Sequence, residues 1–587
     1  MKNNNRLIRS KKTERVFTAV HHVVDLMHVF ETHGEKTVFS YRKAGKDYHV
    51  SYAELHSKIL SAAKGLGAYN LAGKRVAIIG ETRPEWYVTY FAVLLTGGVA
   101  IPMDKELSPD EVANFLTIAQ AEGLAYTNTI GDKINTENHP TLKVRIPFDS
   151  EADALCVAED GISVSTSKRY EKCGISVVPF VSLTNVEGED FVCPPAESVD
   201  TEAMCEMLFT SGTTGTSKCV MLSQKNIFST VTAACESVPF TPDDVILSVL
   251  PIHHTYELAC SVAAMTYGIH ICINESLRRV LPNIQKYRPT GLILVPLFVE
   301  TMYKKILSEA KKSGKDKAIR MALKLSSAAK AVHIDLRSIL FKEIQKTFGG
   351  RLEKIICGGA ALNPTLIRDF EEFGIHVYEG YGITECSPLI AVTPYYARKY
   401  GSVGPAVPSC TVRIAGDTPG EHGYVEGEIQ VKGTNVMLGY YGNAEANKDA
   451  FTEDGWYRTG DVGYMDEDEY SHITGRIKSV IVLENGKNVF PEEIEEYLGN
   501  IEAILESVVV GRKAENSDAV ILTAIVYPDA SKFPAGTPQE EIEESIRKEI
   551  TAQNRRLPSF KQIHKVEFRD TEFEKTTSRK IKRHLVK

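Results

Sequence analysis

Short β-branched runs and longer segments with helical spacing take turns along the chain as far as Phe373. RVAII stands before PEWYVTYFAVLLTG, GLILVP before LFVETMYKKI and KIIC before LNPTLIRDFEEF, with ILSVLP as a further short run. A short apolar run bounded by turn residues predicts a strand, and the longer periodic segments predict helices. The alternation therefore predicts an α/β fold, in which subdomains are layered on largely parallel sheets. From Thr411 to Gly433 the rhythm changes to TVRIAG, a Gly/Pro turn and YVEGEIQVKG, which predicts antiparallel strands in a small β-rich subdomain. Past Gly475, SVIVL, PEEIEEYLG, ESVVVG, AVILTAIVYPD and QEEIEESIRKEITAQNR predict a small α+β domain of roughly 110 residues.

Near the N-terminus, Val16, Val20, Val23, Met27 and Phe30 recur near helical spacing and predict an amphipathic helix packed on the body, with contact to a membrane surface as the alternative. Asp25 and three histidines interrupt this segment, which argues against a secretory signal. YVTYFAVLLTGGVAIP breaks at a glycine pair and a proline, short of the ~20 apolar residues that span a bilayer. The expected location is cytoplasmic, or peripheral at a membrane surface. The polar stretch from residue 127 to residue 200 predicts no function.

Composition narrows the classes. A length of 587 residues exceeds one ordinary core, so at least two domains are expected. Net charge is −8, which gives no overall nucleic-acid footprint, so any anion site must be built locally. The eleven cysteines form no CxxC pair, which excludes a zinc ribbon or dithiol motif and suits a reducing compartment.

Local chemistry concentrates in TSGTTGTSK. Gly212 and Gly215 allow tight turns and close backbone approach, Thr210, Ser211, Thr213 and Thr214 offer hydroxyls, and Lys218 offers a cation. That set suits a phosphate, although the same composition also describes a solvated loop. Ser217 precedes the lysine and Cys219 follows it, which departs from GxxxxGK[ST] and disfavours a P-loop NTPase. The segment resembles the signature of the adenylate-forming superfamily, which contains acyl-CoA synthetases, luciferases and peptide-synthetase adenylation domains. Ser217 stands where that family has proline, Cys219 where it has glycine, and Gln224 near its expected histidine.

Further motifs follow in that family's order. CGGAAL resembles the family's GGAxL, which implies that Gly359, Ala360 and Ala361 face adenine. EGYGITE supplies Glu379, Gly380, Tyr381, Gly382, Ile383, Thr384 and Glu385. The resemblance puts Tyr381 against the adenine ring, Thr384 near the α-phosphate and Glu385 on Mg²⁺, a hard cation suited to oxygen ligands. In WYRTGD, Asp461 follows a glycine, where a carboxylate can accept from a ribose diol; the resemblance assigns it that role, with Arg476 of GRIK as a second ribose or phosphate contact. Lys478 falls at the family's hinge, dividing an N-terminal domain, 1–477, from a mobile C-terminal domain, 478–587. LPIHHTYE resembles the family's segment beside the acyl pocket, which implies a substrate-lining role for His254, with a structural histidine as the plain alternative. The basic C-terminus EKTTSRKIKRHLVK resembles PKTxxGKIxR, whose second lysine, here Lys580, reaches the active site during adenylation.

The resemblance implies two half-reactions. A carboxylate attacks the α-phosphorus of ATP to give an acyl adenylate and pyrophosphate, and coenzyme A then displaces AMP. Lys218, Thr384, Glu385 and Lys580 would carry the catalysis by positioning and charge, since neither step needs a protein nucleophile. Motif spacing is closest to long-chain fatty acyl-CoA synthetases. Another carboxylic acid, an acyl-carrier-protein acceptor, or a non-catalytic acyl- or nucleotide-binding homologue are the alternatives. The expected partners are small molecules and not nucleic acid; a homodimer is left open.

Overall fold

The run PEWYVTYFAVLL is apolar on every side, and a helix of that kind must be covered all round. It forms the helix Pro84–Leu95, in which every residue except Glu85 is buried. The Tyr90 hydroxyl donates to Glu206 at 2.5 Å, on a strand of one large sheet. The Tyr87 ring lies 4.8 Å from that of Phe39, on a strand of a second sheet, so this helix is shared by both. The chain after it reverses at the Gly97–Gly98 pair and enters the buried strand Val99–Met103.

This computed structural model describes residues 8–9, 17–131, 134, 136, 139–149, 174–210, 217–331, 334–417, 419–420, 422–483, 488–513, 520–555, 557–575 and 581–586. Two compact units emerge, one of residues 1–411 and 432–455, the other of 412–431 and 456–587.

The first unit contains two eight-stranded sheets. One runs in the order Gly439–Tyr440, Lys218–Ser223, Met204–Thr210, Val99–Met103, Arg75–Ile79, Gly123–Tyr126, Val144–Pro147 and Ser176–Val177. From Met204–Thr210 onward its strands are parallel, while Lys218–Ser223 and Gly439–Tyr440 add antiparallel strands at one edge. The second runs Leu389–Val392, His376–Gly382, Lys354–Gly358, Gly291–Leu294, Val245–Ser248, His270–Ile273, Thr37–Lys43 and Lys46–Ser51. It is parallel except at its two edges. Buried strands such as RVAII and GLIL lack polar alternation because helices cover parallel sheets on both faces.

The N-terminal helix is Val23–His33, shorter than the periodicity predicts. His22 caps it, its ring accepting from the Asp25 N–H at 3.3 Å, so Val20 lies in the preceding irregular segment and Val16 falls outside the described residues. Val23, Val24, Leu26, Met27, Val29 and Phe30 are all buried. That apolar surface is spent on the protein body, as the first of the two readings expects.

In the second unit, Cys410–Ala415, Glu426–Gly433, Tyr457–Met465 and Ser471–Arg476 form the four-stranded β-rich part, although the ends of the first two strands extend into the other unit. A three-stranded sheet follows, Ile504–Lys513, Val520–Pro528 and Lys565–Phe568. The helices Pro491–Gly499 and Gln539–Asn554 bury Ile494 and Leu498, and Ile542, Ile546 and Ile550, at four-residue spacing in that sheet's core. SVIVL yields only the two-residue strand Ile481–Val482.

Candidate active site

Parallel strands end in loops at their carboxyl edge, where open α/β sheets bind ligands. Three sequence-predicted segments leave that edge of the second sheet. LPIHH follows Val245–Ser248, Gly359 to Ala361 follow Lys354–Gly358, and Ile383 to Glu385 follow His376–Gly382. The last two strands are neighbours, with Gly358 opposite Gly380, so the GGAA and EGYG segments lie side by side. Gly359, Ala360 and Ala361 are exposed there, whereas Tyr381 is largely buried at 8% exposure. A Cβ at Gly382 would lie 1.9 Å from the Pro388 carbonyl oxygen, so only glycine permits the turn. Thr384 and Glu385 then occupy the short 3-10 helix Thr384–Cys386.

Thr210 ends one strand and Lys218 begins the next as a cross-strand pair, with the Thr210 hydroxyl donating to the Lys218 carbonyl at 3.5 Å. Ser211, Gly212, Thr213, Thr214 and Gly215 lie outside the described residues, as does Lys580. The Lys218 ammonium sits 4.5 Å from the centroid of the Tyr440 ring, a cation–π arrangement. The Tyr440 hydroxyl in turn donates to Glu385 at 2.9 Å. Tyr440 thus joins the lysine of one motif to the carboxylate of another.

Backbone pairing puts Tyr440 there. It lies opposite Val220, the Leu438 N–H donates to Met221, and the Met437 N–H donates to the Glu385 carbonyl. Asn226 clamps the same segment, donating to the Thr434 and Val436 carbonyls at 2.8 and 2.9 Å. Asn226 is fixed by the capping box with Ser223 that opens the helix Gln224–Ser237. Gln224, near the expected histidine, accepts from the Val23 N–H at 2.9 Å and anchors the N-terminal helix.

His254 is half-buried at the N-terminus of the helix Thr255–Thr266, its ring 4.1 Å from that of His253. Burial holds the His253 imidazole well below its ordinary value, so it is neutral near pH 7. Tyr256 lies under the strand ends that lead into the GGAA segment. Its hydroxyl donates to the Leu294 and Ile356 carbonyls, and a Cβ at Gly358 would be 3.4 Å from its ring. Glu257 beneath it accepts from Ser248 at 2.5 Å, and burial pushes its carboxyl up to about 8.

In the second unit, Asp461 and Arg476 face each other on adjacent antiparallel strands, with Arg476 Nε 2.7 Å from Asp461 Oδ1. The Asp461 side chain is 4% exposed and that of Arg476 50%. Gly460, at φ +71°, makes the turn that glycine favours, while the Thr459 hydroxyl accepts from the Asp461 N–H at 3.0 Å. Lys478 is exposed in the short 3-10 helix Ile477–Ser479 just after the Arg476 strand.

Residues 26–441 match the family model of AMP-binding enzymes, and residues 478–587 match the model of the AMP-binding enzyme C-terminal domain. The chain belongs to this adenylate-forming family. Long-chain-fatty-acid–CoA ligase FadD15 of Mycobacterium bovis is 30% identical over 478 residues, spanning 79% of this chain and 75% of the relative. Long-chain-fatty-acid–CoA ligase 6 of Mus musculus is 28% identical over 539 residues, 87% of this chain and 74% of that protein. The crystal structure of ATP-bound MatB from Rhodopseudomonas palustris is similar with a TM-score of 0.69 and 25% identity, covering 96% of this chain and 97% of that chain.

For this AMP-binding enzyme, the large α/β domain and smaller C-terminal domain are the architecture the motifs predict. Among the described residues no group of three or more His, Cys, Asp or Glu could hold a metal ion alone. Glu385 is a single carboxylate, and one carboxylate with substrate phosphates and water is a set of hard oxygen donors that fits Mg²⁺. Tyr440 and Tyr256 were not among the predicted site residues. The aromatic pair in LGYYGN and the tyrosine within HHTYE were the available signals.

Proposed function

We propose that this chain uses ATP to convert a carboxylic acid, specifically a long-chain fatty acid, into an acyl adenylate, and transfers the acyl group to coenzyme A with release of AMP. Family membership supports the adenylation step, and the names of the two similar ligases support the acid and the thiol. The observation that carries the reading is the Lys218–Tyr440–Glu385 chain of contacts, which holds a cation and an anion together beside the Thr210–Lys218 hairpin base.

In this reading the acid's carboxylate oxygen bonds to the α-phosphorus as the bond to the pyrophosphate oxygen breaks. Thr210 to Gly215 and Lys218 hold the leaving phosphates, and Thr384 meets the α-phosphate. Glu385 would hold Mg²⁺, which supplies charge neutralisation when bound. Glu379 to Ile383, with Gly359, Ala360 and Ala361, form the adenine segment. Asp461 and Arg476 take the ribose. Lys580 would bridge the attacking carboxylate and the α-phosphate, His254 would line the acyl pocket, and Lys478 would be the hinge of a C-terminal domain, 478–587. The C-terminal family model begins at that same residue. The thiolate sulfur of coenzyme A then bonds to the acyl carbon as AMP leaves.

Acid-dependent exchange of pyrophosphate into ATP, measured over acids of graded chain length, tests the first step. AMP release with and without coenzyme A tests the second. Exchange that rises with chain length and CoA-stimulated AMP release are expected. Absence of exchange with every acid would instead favour a binding homologue, and exchange without CoA stimulation an acyl-carrier-protein acceptor.

A further inference from the structure

The segment from Pro296 to Thr347 holds ten lysines and two arginines against three glutamates and two aspartates, in a chain whose net charge is −8. Its helices are Pro296–Lys312 and Asp316–Ala331, followed by the short turns Arg337–Leu340 and Lys342–Thr347. Ile319, Ala322 and Leu323 pack inward against the core around Phe370 and Phe373. Ser326 is buried on the same side and donates to Glu372 at 2.6 Å. These positions share one face of the second helix.

The outward face is different in kind. Met321 is 66% exposed and Leu325, one turn later, 53%, while Lys317 and Lys324 beside them are exposed too. Ile334 at 54% and Ile339 at 74% are also exposed, in the segment that follows. Ile334 lines a depression with Ser326, Lys330, Asp335 and Arg337 at the edge of the packed side, where Lys330 lies 3.9 Å from Glu372 and Arg337 pairs with Asp335. Single exposed apolar residues are ordinary, but a series interleaved with lysines marks an interaction surface. A helix face meant for water would be polar at 321 and 325.

An interfacial helix needs both features at once, apolar side chains that enter the acyl boundary and cations that stay among headgroup phosphates. We infer that the outer face of Asp316–Ala331 docks on an anionic lipid bilayer. Met321 and Leu325 enter the boundary layer, and Lys317 and Lys324 meet the phosphates. Charge complementarity selects this occupant, because an acidic chain is drawn to an anionic surface only through a local basic patch. No helix among the described residues is long and apolar enough to cross a membrane, so the contact is peripheral. The inference does not depend on which acid the chain activates.

Co-sedimentation of the full chain with phosphatidylcholine vesicles, with or without about one third phosphatidylglycerol, tests it. Binding is expected only on the anionic vesicles. The Lys317→Ala/Lys324→Ala variant should weaken it about thirty-fold, from about five-fold per lysine near an anionic surface. Met321→Ser/Leu325→Ser should weaken it at least as much at high salt, where the charge attraction is screened. Circular dichroism checks folding, and either variant decides if the other fails to fold. Absence of binding, equal binding to neutral vesicles, or binding unchanged in a folded variant would overturn the proposal. Self-association lost in the variants without vesicle binding would also overturn it, in favour of a second copy of the chain.

Discussion

Arg476 Nε stands 2.7 Å from Asp461 Oδ1 across two antiparallel strands, the arginine half-exposed and the aspartate nearly buried. The asymmetry makes the two partners unequal. Arg476→Ala removes a counter-charge from a buried carboxylate, whereas Asp461→Asn leaves a guanidinium that water can reach. Breaking a buried pair costs about 3–5 kcal/mol, but the arginine's exposure reduces this to about 1–2 kcal/mol. Urea unfolding should therefore find Arg476→Ala the less stable variant, and both should raise the KM for ATP. Equal stability would mean that other contacts hold Asp461.

Tyr440→Phe keeps the ring beneath Lys218 and removes only the hydroxyl on Glu385. Hydrogen bonds to charged groups contribute about 1.5–3 kcal/mol, so acid-dependent exchange should slow roughly 10- to 100-fold with a higher Mg²⁺ requirement. Tyr440→Ala, which also loses the cation–π contact, should be slower still. A Tyr440→Phe enzyme with unaltered Mg²⁺ dependence would detach this hydroxyl from the role of Glu385.

Glu257 sets a pH dependence of stability. Burial raises its carboxyl from 4.5 to about 8, against the opposing hydrogen bonds from Ser248 and Leu250. Between those values the folded chain keeps a proton that the unfolded chain releases, so stability falls as pH rises through the window. Glu257→Gln, which mimics the protonated form, should be neutral near pH 5 and raise Tm at pH 8, since each tenfold difference in proton affinity between the folded and unfolded chains corresponds to about 1.4 kcal/mol. The same Tm difference at both pH values would contradict a protonated Glu257.

Gly382→Ala should disable the Thr384–Glu385 turn, since the added methyl meets a backbone carbonyl that cannot swing aside. Exchange activity should fall at least about a hundredfold, the scale of losing one aligned electrostatic group. Far-ultraviolet circular dichroism should change little. Full activity would show that the turn shifts without consequence.

Lys580→Ala should abolish formation of acyl adenylate from acid and ATP while thiolysis of supplied acyl adenylate persists. A loss of about 10²–10³ in the first half-reaction is expected for a group aimed at developing charge. Equal loss in both halves would remove the assignment.

Periodicity made most elements legible: RVAII is Arg75–Ile79 and PEEIEEYLG is Pro491–Gly499. The start of the N-terminal helix was not, because His22 caps it in place of the usual Ser, Thr, Asp or Asn. The motifs singled out Lys218 and Glu385 through their resemblance to the adenylate-forming signatures, since glycine, hydroxyl and charge in one loop also describe a solvated turn. Tyr440 was missed because the aromatic pair in LGYYGN does not say what it faces. Its role comes from pairing with Val220, a long-range register that no local pattern encodes.

The helix Pro84–Leu95, in touch with one sheet through Tyr90 and Glu206 and with the other through Tyr87 and Phe39, ties the fates of the two sheets together. Neither can lose its covering without stripping the other of eleven buried residues. Native-state hydrogen exchange should accordingly find the amides of Val76 and Leu292, one from each sheet, opening in a single cooperative event.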